Sequence, residues 1–305
     1  MSKKLVLRAD DVGYTEAFDM GVVRAIDEGL ITSADVMLDC KHSVEALKML
    51  KERPWIALGW HRHLWGWPVA GAENVPSLVN AAGRFFWGHD EYAQGDAAYE
   101  DCIKEFEAEL ALCLRIYGKY PVTASATIFE GKRPIDRAMI DICKKYDIKL
   151  NIDNHSNEDQ TPVMPEMGPF NPEYHKLNYR YGPGGFTVKR TVRVNNQRLA
   201  DFESFQPLER IKSMTWRNEE ETLSYSVHPG YLDDFILAES SYNIHRVKEL
   251  QDIVSPELKR WVIENEIELV STYDVLNGTR EYQKHLAEIN SPVWIENIRK
   301  VKLAE

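Results

Sequence analysis

Short apolar runs alternate with longer amphipathic stretches along this chain, and the alternation predicts strands and helices in turn. The first run is Leu5-Val6-Leu7-Arg8-Ala9-Asp10-Asp11-Val12-Gly13-Tyr14-Thr15, a buried strand whose apolar character stops at two adjacent carboxylates. From Ala17 to Gly29 the period becomes helical: Thr15 is an N-cap, Val22, Val23 and Ile26 share a face, and Gly29 is a stop. Thr32 to Leu38 predicts a second strand and Ser43 to Lys51 a helix closed by Pro54. A third strand, Ile56 to His61, leads into Arg62-His63-Leu64-Trp65-Gly66-Trp67-Pro68. The strongest helical pattern is Tyr99 to Tyr117, with Ile103, Phe106, Leu110 and Leu114 on one face and Gly118 at its end. Val122 to Phe129 and Ile148 to Ile152 predict strands on either side of a helix from Pro134 to Tyr146.

Two stretches interrupt the pattern. Residues 66–98 are rich in Gly, Pro, Asn, Ala and aromatics and predict a long surface loop. Residues 153–185 have no period, and Phe186 to Asn195 alternates as an extended excursion would. Gln197 to Lys212 then predicts a helix, and Thr222 to Val227 a strand that delivers His228-Pro229-Gly230-Tyr231. Helices follow over Tyr242 to Ile253 and Pro256 to Asn265, then a last strand over Ile267 to Ser271 and helical residues to the end.

Strands alternating with helices imply an α/β fold, a parallel sheet with helical crossovers. About seven parallel strands with long loops fit one (β/α) barrel. With no linker or internal repeat in view, residues 1–305 are expected to form a single domain.

Composition narrows the classes. The chain has 305 residues, 44% hydrophobic and 28% charged, as in an ordinary globular protein able to bury a large core. A formal net charge of −11 argues against a surface that tracks nucleic-acid phosphates. No run of about 18 apolar residues predicts a membrane span, and Met1-Ser2-Lys3-Lys4 runs straight into strand rather than a leader. Cys40, Cys102, Cys113 and Cys143 lack CxxC spacing, which argues against thiolate zinc and suits a reducing, cytoplasmic location. Cys102 and Cys113, in helical stretches, are expected to be small packing residues.

The polar residues at strand ends carry the candidate chemistry. The first strand offers Asp10 and Asp11, the third His61 and His63, and the late strand His228. In a parallel barrel these ends share one face, and Asp with His suits a divalent ion such as Zn²⁺. If the third strand continues through Arg62, His61 and His63 point to the same side. A plainer reading stands beside each. The Asp pair can be a helix cap and a solvated acid, the two His can be aromatics packed among tryptophans, and His228 can be a turn residue.

These residues also carry a family pattern. Ala9-Asp10-Asp11-Val12-Gly13-Tyr14, with Gly29-Leu30-Ile31-Thr32-Ser33-Ala34, resembles the opening of the YdjC-like carbohydrate deacetylases of the chitooligosaccharide deacetylase type. Gly59-Trp60-His61-Arg62-His63, Val75-Pro76-Ser77-Leu78 and Gly83-Arg84-Phe85 resemble its next blocks. His228-Pro229-Gly230-Tyr231, Ser241-Tyr242, Arg246 and Glu249-Leu250 match its late ones in order and spacing.

The resemblance implies a distorted (β/α) barrel holding a divalent ion, Zn or Mg. Asp11 and His61 would be metal ligands, Asp10 the general base, and His228 the opposite acid. Tyr231 and Arg246, in the matched late blocks, would contact substrate. The family's His-rich block after the fourth strand is missing: Val122 to Pro134 contains no His, and Thr127 stands at the ligand position. Glu130 and His63 are the candidate replacements. The family's Arg after the fifth strand is missing too, with Asn151, Ile152 and Asp153 in its place.

The expected activity is therefore metal-dependent hydrolysis of a linear amide C–N bond, removing an acetyl group from an N-acetylated sugar or short oligosaccharide. Trp60, Trp65, Trp67, Phe85, Phe86 and Trp87 are candidate sugar-stacking rings, or simply a cap on the barrel. The alternative is an impaired barrel that binds a carbohydrate without hydrolysing it. Expected partners are a small carbohydrate and, as an admissible assembly, a second copy in a homodimer, with neither nucleic acid nor membrane.

Overall fold

The computed structural model describes residues 3–86, 97–126, 133–152, 180–181, 202–216, 221–240 and 242–304. Its strands are β1 (Lys3–Val12), β2 (Ser33–Val36), β3 (Ala57–His61), β4 (Thr123–Ala126), β5 (Lys149–Ile152), β6 (Arg180–Tyr181), β7 (Thr222–Val227) and β8 (Ile267–Leu269). Seven follow the order β5-β4-β3-β2-β1-β7-β6, and β8 pairs β1. Every described ladder is parallel. This is a distorted (β/α) barrel, open between β5 and β6 among the described residues.

The helices are α1 (Glu16–Asp27), α2 (Ser43–Lys51), α3 (Tyr99–Tyr117), α4 (Pro134–Lys145), α5 (Pro207–Lys212), α6 (Asp234–Glu239), α7 (Ile244–Ile253), α8 (Pro256–Glu264), α9 (Thr272–Asn277), α10 (Glu281–Glu288) and α11 (Ile295–Ala304). Thr15 caps α1 as expected, its hydroxyl accepting the Phe18 N–H. Of the predicted helix from Gln197, residues 197–201 lie outside the described residues; residues 202–204 are helical, the helix breaks at Phe205 and Gln206, and α5 starts with Pro207 at its first turn, where the residue before proline leaves the helical region. Helix α6, capped by the Asp233 side chain, has no counterpart among the predicted elements. No described helix is long and apolar enough to cross a membrane.

β1 is the hub. One side pairs with β7 from Lys4 to Ala9, and the other with β8 at Lys3–Leu5 and then β2 from Arg8. Strand parity separates two environments. Leu5, Leu7 and Ala9 of β1, Ala34 and Val36 of β2, Leu58 and Trp60 of β3, and Ala124 of β4 join one large apolar core with the helices. The opposite parity is Arg8 and Asp10, Ser33 and Asp35, Gly59 and His61, Thr123 and Ser125. This face is thus mostly polar toward the strand ends, while Val6 of β1 packs with Val270 and Val275 in a small separate apolar cluster.

Helix α3 departs from its expected face. Leu114 is 41% exposed, whereas Glu105 and Glu109 are buried with Cys102, Phe106 and Leu110. The glutamates are buried because each has a donor to serve. Glu105 accepts the Val69 and Ala70 N–H groups at 2.8 and 3.0 Å, and Glu109 the Trp60 indole. Asp39 accepts the N–H groups of Trp65 and Gly66, and Asp101 that of Ser77. The described part of the segment expected as a surface loop, residues 66–86, therefore packs down, with Val75, Leu78 and Phe85 buried, and residues 87–96 lie outside the described residues. Unpaired backbone N–H groups would forbid that burial, and the carboxylates remove the obstacle.

Burial pushes the Glu105 carboxyl up to about 7 from an ordinary 4.5. Between those values the folded state keeps a proton that the unfolded state has lost, so stability declines as pH rises through that window. Glu105→Gln is expected to flatten this slope in urea unfolding run across the window. A slope that persists in the variant belongs to another group.

Candidate active site

The site grows from an irregularity in β1. Ala9 pairs Ala34 and Val12 pairs Val36, so β1 spends one more residue than β2 between the two pairs. That is a bulge, and Asp11 takes it up in the left-handed region at φ 62°. Aspartate tolerates that region better than most residues. In a regular strand Asp10 and Asp11 would face opposite ways. Here both carboxylates reach polar partners at the inner rim.

Asp11 Oδ1 lies 3.1 Å from His61 Nε2 and 3.7 Å from His63 Nε2, and the two imidazole nitrogens are 2.9 Å apart. The His pair shares a side because the ladder does continue past β3: the Arg62 N–H donates to the Ser125 carbonyl at 3.0 Å. One ligand atom from each of Asp11, His61 and His63 falls within 4.8 Å of the others, the spacing a divalent ion requires. The donor set of one carboxylate and two imidazoles fits Zn²⁺. Thr127 and Glu130, the other candidates for a third ligand, lie outside the described residues.

The surrounding charges set the protonation of all three side chains. Burial alone would raise the Asp11 pKa, but Arg246, His228 and His61 together hold it well below the usual carboxylate range. Burial would lower His61, yet the Asp11 hydrogen bond and the Asp10 and Asp35 charges bring it to about 9. Partial burial and the neighbouring His61 push His63 down from its ordinary value.

Asp10 sits beside this group with its back to Arg8. Burial is outweighed there by Arg8 and His61, and the carboxyl is held below its ordinary value. His228, just past β7, is oriented by Glu249 of α7. One Glu249 oxygen accepts the His228 backbone N–H at 2.6 Å and lies 3.5 Å from Nδ1, and the other accepts the Tyr242 hydroxyl at 2.7 Å. Burial would lower the His228 pKa, but Asp11 and Glu249 raise it.

The expected substrate contacts divide. Arg246 is 2% exposed and gives Nη2 to Asp11 Oδ2 at 2.7 Å and Nε to the Tyr242 carbonyl, so it holds the Asp11 carboxylate. Tyr231 turns to α1, where its hydroxyl accepts from Arg24. Trp65 stands at the site, edge-on to Tyr14 at 5.6 Å and to His63 at 6.0 Å. Trp67 lies under Lys41 and Arg84, 4.5 and 5.1 Å from its ring centre. Trp60 and Phe85 are core residues rather than sugar-stacking rings, and the Trp60 indole donates to Glu109 at 2.6 Å. Phe86 is half-buried, and Trp87 lies outside the described residues.

Arg8, Asp35 and Glu249 had no assigned role at the level of sequence. Arg8 stands two residues before Asp10 and so on its face, and Asp35 is a lone acid in an otherwise small or apolar strand. Both signals were available locally; their meeting was not.

Comparison with known proteins agrees with this architecture. A carbohydrate deacetylase of Brevibacillus brevis is 27% identical over 273 residues, spanning 88% of this chain and 98% of the relative. A chitooligosaccharide deacetylase of Yersinia enterocolitica is 23% identical over 262 residues, spanning 85% and 94%. A crystal structure from Enterococcus faecalis V583 shares the fold, with a TM-score of 0.65 at 22% identity over 90% of this chain and 99% of its own. The model of the YdjC-like protein family matches residues 4–264, a span holding Asp10, Asp11, His61, His63 and His228, and this chain belongs to that family.

Proposed function

We propose that the protein is a metal-dependent carbohydrate deacetylase that releases acetate from an N-acetylated sugar or short oligosaccharide. The observation that carries the reading is the convergence of Asp11, His61 and His63, flanked by Asp10 on one strand end and His228 on another. Relatives named carbohydrate deacetylase, matched nearly end to end, support the substrate class.

Asp11, His61 and His63 would hold the ion, with His63 standing in for the ligand that the fourth strand lacks. A divalent ion bound there would supply Lewis acidity toward the acetamide carbonyl and the attacking water. Asp10, ionised and buried, takes the proton of the attacking water. His228, raised in pKa and braced by Glu249, gives a proton to the departing amine nitrogen. Trp65, against His63, bounds the space where the acetyl group sits and offers its ring to the sugar.

Acetate release from N,N′-diacetylchitobiose, with the protein stripped by chelator and reloaded with Zn²⁺ or Mg²⁺, tests the reading. Release should vanish on stripping and return on loading. If no divalent ion binds and no acetate appears, the hydrolase reading fails and the metal-free carbohydrate-binding barrel replaces it.

A further inference from the structure

A general base must be held still as well as ionised, and two buried side chains outside the proposed chemistry do the holding. Arg8 Nε donates to Asp10 Oδ1 at 2.7 Å and Arg8 Nη2 to Asp10 Oδ2 at 3.0 Å, a two-point fork that fixes the carboxylate plane. The guanidinium is itself confined. Arg8 is 2% exposed, and its Nε lies 3.5 Å from Asp35 Oδ2. Asp35 is tethered past β3 by the Ser125 hydroxyl of β4 at 2.6 Å. Gly59 makes the room: a Cβ there would stand 2.0 Å from Asp35 Oδ1 and 2.8 Å from Thr123 Oγ1. Strands β1, β2, β3 and β4 thus all contribute to one interior brace.

We propose that Arg8, seated by Asp35, is a positioning residue for the water-activating carboxylate of Asp10, an inference that rests on the hydrolase reading above. Each Asp10 oxygen accepts one N–H from Arg8 and keeps a second lone pair for the proton it must take. In this scheme Arg8 binds neither the acetamide nor the ion. A loosened Asp10 leaves the binding of ion and substrate intact, but it meets the attacking water in the wrong orientation.

The test uses Arg8→Lys and Arg8→Ala in the full chain. Lysine keeps the buried charge and loses the planar fork, so a folding defect in the alanine variant does not decide the matter. The expected result for Arg8→Lys is a kcat at least about tenfold lower, since an ångström of misplacement can be worth about a hundredfold. KM and the affinity for Zn²⁺ alone, read by calorimetry, should stay at wild-type values. Methylguanidinium added to Arg8→Ala should recover part of kcat, and crystal structures of both variants should show the Asp10 carboxylate rotated. Wild-type kcat in Arg8→Lys with an unmoved Asp10 overturns the proposal, as does an equal loss of Zn²⁺ affinity and turnover, which marks a merely structural role. If the wild type releases no acetate, the hydrolase reading has failed. The orientation of Asp10 in the two crystal structures then decides alone whether Arg8 holds it.

Discussion

Asp11→Asn is expected to weaken divalent-ion binding by at least about 100-fold, more than the 10- to 100-fold typical of losing a partner outside the ligand set. Asparagine is the informative replacement. It tolerates the left-handed backbone at φ 62° that Asp11 occupies, so the bulge should survive. What disappears is the charge that faces both His61 and His63 from Oδ1. The variant also leaves Arg246 without its anionic partner, a buried cation made solitary, and some loss of stability accompanies the loss of metal. Calorimetric titration with Zn²⁺ on protein shown to be folded by near-UV circular dichroism separates the two. His61→Ala should fall by a similar factor. Wild-type affinity in both variants would remove Asp11 and His61 as ligands.

Asp10→Asn should do the opposite: keep the ion and lose the reaction. General-base catalysis contributes about 10²- to 10⁴-fold, and turnover should fall within that range. The asparagine side chain is isosteric and still accepts from Arg8 through its carbonyl, so the interior brace persists in part. Zn²⁺ affinity should remain at the wild-type value, since both Asp10 oxygens face Arg8. The paired measurement is acetate release and Zn²⁺ titration on the same preparation. Unchanged turnover would assign the base to another group.

Much of the fold was legible in the chain. The helices Ser43–Lys51 and Tyr99–Tyr117 and the strand Thr222–Val227 fall where the periodicity places them. They are long or strongly patterned, and their ends carry caps or breakers. The elements that differ have mixed signals: Pro207 divides an apparent helix, and α6 is too short to show a period. The buried face of α3 differs from its apolar stripe because hydrophobicity is not the only cause of burial. Glu105 lies inside because a segment after β3 needs acceptors for its N–H groups. Trp60 shows the same limit, since nothing local separates an indole that stacks on a sugar from one that donates to Glu109 inside the core.

The alternation of strands and helices, the acidic end of β1, and the His-x-His run on one side of an extended chain follow from local sequence. These depend on neighbours within a few residues, where sterics, side-chain period and capping act. That both Asp10 and Asp11 reach the interior depends on tertiary pairing, because the bulge is defined by register against β2. The same holds for Arg246, 235 residues away, which braces Asp11, and for Ser125, 90 residues from Asp35, which anchors it. The energy of a buried charge depends on which partner lies within about 4 Å, and in a barrel interior that is set by strand order rather than by distance along the chain.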